Sequence, residues 1–227
     1  VYSGMIEALD RSIEKIVDAL EENGITENTL IIFTSDNGGA GYIGLHDINK
    51  PYRGWKLTHF EGGVHVPFFA KWPSMIDKNQ VFSKRIHHTD IFSTILGAAN
   101  IEQPKSTHID GKNLIPYIVD KKEGEPHDTL YWKNSTYQAI IHNDWKLMRS
   151  KYPFNQEFLY NLSNDPYELI DLSSSEVEIK QLLNNMLDEH VELMPKPKWP
   201  QSVYMPVTTD KPITDYEDGD ELIYWPN

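Results

Sequence analysis

The sequence predicts an α/β fold, part of a doubly wound sheet over residues 1–120, followed by a small α+β subdomain over 121–194 in which an antiparallel sheet packs on a helix. Three patterns predict it. A helical repeat at 2–23 runs into the continuous apolar stretch Leu30-Ile31-Ile32-Phe33, and a helix followed by a buried strand is the repeating step of doubly wound sheets. Beyond residue 126 the pattern changes to short strands punctuated by turn residues. A second helical repeat at 176–193 then offers the sheet something to pack on.

Each element has its own signal. Ile6, Leu9, Ile13, Ile16, Val17 and Leu20 recur at helical spacing, and Asn23-Gly24 is a helix stop. Residues 29–34 read as a parallel strand covered on both faces, because the run is apolar without alternation. Residues 36–63 are loop-rich and punctuated by glycine, with Tyr42, Tyr52, Trp55 and Phe60 to order them. Residues 64–72 read as a strand whose Pro67 implies an edge or a bulge, and His65 reads as a packed strand histidine. A short strand is expected at 81–87. A helix is expected at 89–100, with Ile91, Phe92, Ile95 and Leu96 inward and Thr89 or Asp90 as its cap.

Residues 111–119 close the first unit, and 121–126 have linker composition. Strands follow at 129–133, 137–142, 145–149 and 158–161, with Asn143-Asp144 as the hairpin turn between the second and third. Trp72, Trp132 and Trp145 fall in strands and read as core. The tail, 195–227, is acidic and carries Pro195, Pro197, Pro200, Pro206, Pro212 and Pro226, so no regular element is expected there. Its aromatic residues predict that it lies along the body.

Composition sets the outer limits. The 227 residues suffice for one sizeable core or two smaller ones, and 39% hydrophobic content is that of a soluble globular chain. No apolar run approaches the ~20 residues of a membrane helix. The absence of cysteine excludes a disulfide framework and thiolate metal sites, and fits a bacterial source better than a disulfide-stapled secreted animal protein. A net charge of −13 disfavours nucleic acid as a partner.

Thr34-Ser35-Asp36-Asn37-Gly38-Gly39 follows the first apolar strand. It places a carboxylate and a carboxamide at the strand's C-terminal end, where open α/β sheets bind ligands. Hard oxygen donors suit Ca²⁺ or Mg²⁺ rather than zinc or copper. Taken alone, Asp-Asn-Gly is also common turn chemistry, and the turn is the simpler reading.

Further along, Arg53-Gly54-Trp55-Lys56 precedes Phe60-Glu61-Gly62-Gly63-Val64-His65-Val66-Pro67. Together, TSDNGG and RGWKLTHFEGGVHVP resemble the type I sulfatases of the alkaline phosphatase superfamily. HTDIFSTILGAANI, DGKNLIPYI, DWKLM and LYNLSNDPYELIDLS resemble successive segments of that family's C-terminal half, so the likeness covers roughly residues 1 to 172. It implies an alkaline phosphatase-like sheet in the first unit. It implies Asp36 and Asn37 as calcium ligands, with Ca²⁺ preferred to Mg²⁺, and Asp36 also acting on the nucleophile. It implies Lys56 on a sulfate oxygen or the leaving oxygen, and a periplasmic or secreted location. Trp55 and His46 are the further candidates for substrate contact, and Glu61 has a structural hydrogen-bonding role. The family's nucleophile, a formylglycine made from Cys or Ser in [CS]-x-P-x-R, has no counterpart in this sequence, nor have the paired N-terminal aspartates. The expectation is the C-terminal half of a sulfatase acting on a sulfated small molecule or glycan, inactive without its N-terminal segment. A phosphoester or phosphonate hydrolase of the same superfamily, and a non-catalytic binding or assembly module, are the alternatives.

Overall fold

A computed structural model describes residues 1–120, 122–199 and 201–226, with only the backbone of Pro226. Lys121 of the expected linker, and Pro200 and Asn227 of the tail, lie outside the described residues. In chain order the elements are α1 (Tyr2–Glu22), β1 (Ile31–Thr34), α2 (Glu61–Val64), β2 (Phe68–Lys71), α3 (Asp90–Ala98), α4 (Ile115–Ile118), β3 (Thr129–Asn134), β4 (Tyr137–His142), β5 (Trp145–Ser150), β6 (Gln156–Asn161), α5 (Val177–Leu193), β7 (Tyr204–Thr208) and β8 (Leu222–Pro226). They form two compact units, each drawn from two stretches: residues 1–34 with 68–127, and residues 35–67 with 128–227. The loop-rich segment read with the first unit therefore packs in the second.

In the first unit, α1 ends at Asn23, and Gly24 takes up the left-handed turn at φ +66°. No residue of α1 is buried, and Ile6, Leu9 and Ile16 of its apolar stripe are exposed. β1 pairs with β2 antiparallel, from Ile31 opposite Lys71 to Thr34 opposite Phe68. A parallel neighbour was the expectation; among the described residues the one partner of β1 is the antiparallel β2. Nor is β1 covered on both faces as expected: none of its residues is buried and Phe33 is exposed, so the apolar run carried neither the covering nor the direction of the neighbouring strand. β2 is also shorter than the 64–72 expected, because residues 61–64 close into the single turn α2.

Residues 81–87 are irregular rather than a strand. Two of their backbone N–H groups meet side chains instead of a ladder: Arg85 N–H donates to Glu125 Oε2 at 3.3 Å and His87 N–H to Asp90 Oδ2 at 2.7 Å. α3 turns its polar residues inward: Asp90, Ser93 and Thr94 are buried, while Phe92 and Ile95 are exposed. The inward set anchors the following loop. The Asp90 carboxylate accepts from Lys112 N–H at 2.8 Å and meets His127 Nε2 at 2.7 Å, and Ser93 Oγ donates to Gly111 O at 2.8 Å. Thr89 holds the N-cap position without a capping side-chain bond.

The second unit is built on a four-stranded antiparallel meander in the order β3-β4-β5-β6. Alternation along the strands divides two cores. On one face Tyr137, Ala139, Ile141, Met148, Phe158 and Tyr160 pack with Phe60 and Ile223. On the other, Ile140, Leu147 and Leu159 meet Leu183 and Leu187 of α5, one helical turn apart. Burying each such leucine stabilises by about 1.5–3 kcal/mol. Asn143 turns the β4–β5 hairpin at φ +51°. Trp72 is buried, and Trp132 and Trp145 pack against the two cores. The tail departs from expectation: β7 and β8 pair as an antiparallel ribbon that sets Ile223 into the core. In a two-stranded ribbon every strand has a free edge, so Pro206 is tolerated opposite Tyr224.

Candidate functional site

The segment that leaves β1 is short and self-bonded. Ser35 Oγ donates to Asn37 O at 2.8 Å, and Asn37 Nδ2 donates to Gly38 O at 2.8 Å. That bond turns the Asn37 amide group back on its own chain, and among the described residues no hydrogen bond is made to its Oδ1. Asp36 is exposed and has no ion-pair partner among the described residues.

Backbone contacts stitch this segment to residues 53–63. Gly38 N–H donates to Gly63 O at 2.9 Å, and Lys56 N–H to Gly39 O at 3.0 Å. Asn49 bridges both strands of chain, accepting from Gly39 N–H at 2.7 Å and donating to Gly39 O and Gly54 O at 3.0 Å each. The fit admits no side chain: a Cβ on Gly38 would lie 1.7 Å from Gly62 O, and one on Gly63 would lie 2.2 Å from Thr58 O. Lys56 is the second residue of a tight turn, opened by Trp55 and closed by Thr58 N–H on Trp55 O at 2.9 Å, with Leu57 in the left-handed region at φ +83°. A leucine there is strained, and such strain collects at ligand-binding turns. Asp36, Asn37 and Lys56 thus belong to one stitched loop cluster.

Two other sequence candidates sit differently. Trp55 was expected to offer its ring to a ligand; it is only 5% exposed, and its ring lies so close to Gly41 that a Cβ there would be 2.7 Å away. Gly41 lets the chain close over the indole, so Trp55 is a packing residue. His46 is exposed, with Nδ1 3.8 Å from Asp215 Oδ2 of the acidic tail. His65, expected within a strand, instead follows α2 and is half exposed, its ring against Tyr52 and its Nδ1 2.9 Å from Glu61 Oε2.

Behind the cluster lies a buried charge network that sequence reasoning passed over. Lys146 of β5 is wholly buried, with Nζ 2.7 Å from Glu61 Oε1 and 2.8 Å from Glu168 Oε1. Glu168 Oε2 also accepts from Glu61 N–H at 2.6 Å. The available signal was parity: Lys146 shares the inward face of β5 with Met148. Burial opposes ionisation of Glu61, but the Lys146 charge and bonds from His65 and Lys146 outweigh it and hold the carboxyl at about 2. Burial raises Glu168, and the Glu61 charge adds to that rise against the pull of Lys146. The two carboxylates share one ammonium, which they keep protonated against the opposing effect of burial. Burial, aided by Lys146, also depresses His59 to about 3; its ring stacks on Tyr137 at 4.3 Å.

Asp36 and Asn37 fit Ca²⁺ as donors of hard oxygens, but supply only part of its usual shell of about 6–8 oxygens. No group of three or more His, Asp or Glu able to hold a metal occurs among the described residues. No helix among them is long and apolar enough to cross a membrane.

Comparison with known proteins agrees with this picture. A family model described as Sulfatase matches residues 1–101, and one described as N-sulphoglucosamine sulphohydrolase, C-terminal, matches residues 54–196. The chain is 32% identical over 185 residues to the uncharacterized sulfatase YdeN of Escherichia coli strain K12, covering 74% of this chain and 33% of that protein. It is 30% identical over 196 residues to a sulfatase of Formosa agariphila, covering 80% and 35%. The crystal structure of Ps i-CgsB, also solved in complex with k-i-k-neocarrahexaose, superposes with a TM-score of 0.77 at 29% identity over 87% of this chain and 44% of that one. The chain thus spans about a third of the length of those curated relatives. The fold class is that of the sulfatases, alkaline phosphatase-like, with the antiparallel sheet and helix of the second unit.

Proposed function

The chain belongs to the sulfatase family, and from that premise we propose that it is the C-terminal half of an enzyme hydrolysing sulfate esters of carbohydrates or aryl alcohols. The observation that carries the reading is the stitching of residues 36–39 to 53–63, through Gly38 on Gly63 and Lys56 on Gly39. It supports the reading because it hydrogen-bonds the backbone segments that carry Asp36, Asn37 and Lys56, the residues whose oxygens and amine a sulfate ester would need. Within this reading the carrahexaose complex of Ps i-CgsB favours a sulfated glycan over an aryl sulfate.

Asp36 and Asn37 hold Ca²⁺ together with donors from the N-terminal half. When bound, the ion neutralises charge on the oxygens around sulfur. Lys56 places an ammonium against a sulfate or leaving oxygen, where negative charge grows in the transition state. Asp36 orients the attacking hydroxyl and takes up its proton; the nucleophile itself, a formylglycine hydrate, comes from the N-terminal half. His46, exposed at the rim of the same loop, contacts the remainder of the substrate. The enzyme works in the periplasm or outside the cell.

The test is sulfate release from p-nitrophenyl sulfate and from sulfated oligosaccharides. The chain alone is expected to release none. The protein carrying both halves is expected to turn over in a calcium-dependent manner, and to lose turnover with Asp36→Ala or Lys56→Ala. Turnover by the 227 residues alone, or none by the two halves together, overturns the proposal.

A further inference from the structure

We infer that Lys146 is a positioning residue for the calcium- and sulfate-binding loops, transmitting the rigidity of the C-terminal sheet to Asn37 and Lys56 through Glu61 and Glu168. The inference rests on the sulfatase reading above.

The connection is traceable atom by atom inside the second unit. Lys146 is the second residue of β5, a strand paired on both sides. Its Nζ fixes the Glu61 side chain at 2.7 Å, while Glu168 grips both Lys146 at 2.8 Å and the Glu61 backbone N–H at 2.6 Å. Glu61 opens α2, and the next two residues are the glycines wedged against residues 53–58. Gly62 N–H donates to Arg53 O at 2.6 Å, and Gly63 O accepts from Gly38 N–H, the residue after Asn37. Lys56 lies in the turn lodged against Gly63 and is itself bonded to Gly39. From the ammonium to either site residue, each link is thus an ion pair, a hydrogen bond or a short backbone segment.

Two features make a purely stabilising role a poor account. A buried ion pair is weak support for stability, because desolvating its charges offsets their attraction, and an apolar trio of similar volume would serve the core as well. The backbone is also strained at both ends of the network, Glu168 at φ +59° and Leu57 at φ +83°, neither of them glycine. Strain of this kind persists where surrounding structure imposes it, and it collects where geometry matters to function. The contacts of Lys146 and Glu168 hold the Glu61 side chain and its backbone N–H together, which restrains the direction in which Glu61 leaves the core.

The test uses the protein carrying both halves and the variant Lys146→Met/Glu61→Gln/Glu168→Gln, which removes all three charges and keeps their volumes. Calcium affinity is read by titration calorimetry, and kcat and KM by sulfate release. Outer supports of a metal site typically carry about 10–100-fold in metal affinity or activity. The expected result is a cooperatively folded variant whose calcium Kd rises at least tenfold and whose kcat falls with it. A folded variant with wild-type calcium Kd, kcat and KM overturns the inference and leaves the sulfatase reading intact. Should the triple variant fail to fold, Glu61→Gln, which keeps the Lys146–Glu168 pair, is judged by the same readouts. A wild-type protein that cleaves no sulfate ester overturns the functional reading and the inference with it.

Discussion

Lys146 and Glu61 stand 85 residues apart in the chain and meet as a buried ion pair, Nζ to Oε1, at 2.7 Å. Glu61 belongs to the loop cluster that carries the candidate site, and Lys146 to the sheet beneath it. Within the second unit, the sheet therefore contributes the floor on which residues 36–63 are arranged.

Removing one member of this network is expected to be far worse than removing all its charges. Lys146→Met removes the ammonium that two buried carboxylates share, leaving Glu61 only His65, and is predicted to cost about 3–5 kcal/mol. Neutralising Glu61 and Glu168 as glutamines in the same chain should recover most of that loss. Urea denaturation of the two variants checks the difference; equal midpoints would show that the charges are not coupled.

His59 sets an acid limit on the second unit. Its native value of about 3 lies well below the ordinary 6.5 of an unfolded histidine, because burial excludes the imidazolium. The unfolded chain therefore binds more protons below pH 6.5, and the contribution of His59 to stability, full above 6.5, declines down to about pH 3. The slope is about 1.4 kcal/mol per pH unit for one such group. Glu61, held at about 2 against an ordinary 4.5, acts in a lower window: its contribution is present above 4.5 and is lost toward 2. His59→Phe retains a ring to stack on Tyr137 and should flatten the fall in melting temperature between pH 7 and 5. An unchanged pH profile would assign the acid sensitivity to another group.

The guanidinium of Arg53 holds the tail to the body. It donates to Asp210 Oδ1 at 2.7 Å, Glu221 Oε1 at 2.6 Å and Tyr160 Oη at 2.9 Å, with its face over Phe60 at 4.7 Å from the ring centroid. Lysine has one charged nitrogen and cannot reproduce this fork. Arg53→Lys is predicted to expose the segment 210–221 to proteolysis at concentrations that leave the wild-type tail uncut.

Legibility followed the range of the interactions involved. β3 to β6 and α5 were readable because alternation, helical repeat and the Asn143 turn are local. The antiparallel pairing of β1 was not, since strand direction depends on partners well along the chain, from Thr34 opposite Phe68 to Ile31 opposite Lys71. The tail ribbon was hidden by its prolines, which mark a strand edge as readily as they break a strand. Asp36, Asn37 and Lys56 were candidates on two motifs, and the fold hydrogen-bonds the segments that carry them. The burial of Trp55 depends on the bare surface of Gly41, and the Lys146 network on Glu168, neither local to the residue it governs.

Gly38 and Gly44 separate steric need from conformational need. Gly38 does not have a positive φ, yet a Cβ on it would overlap Gly62 O at 1.7 Å, so alanine must push residues 36–39 off the Glu61–Gly63 turn. Gly44 has the reverse character, φ +74° with open space around it. Gly44→Ala should cost about 1–2 kcal/mol through its left-handed backbone and leave the cluster in place. Gly38→Ala should displace Asn37 from Lys56, and in the protein carrying both halves is predicted to weaken calcium binding at least about tenfold, the scale of a lost outer support. Calcium titration and thermal melting of the two variants separate the effects: Gly44→Ala shifts the melt with wild-type calcium affinity, and Gly38→Ala moves both. Wild-type calcium affinity in Gly38→Ala would mean that the contact between these two turns does not set the geometry of the metal ligands.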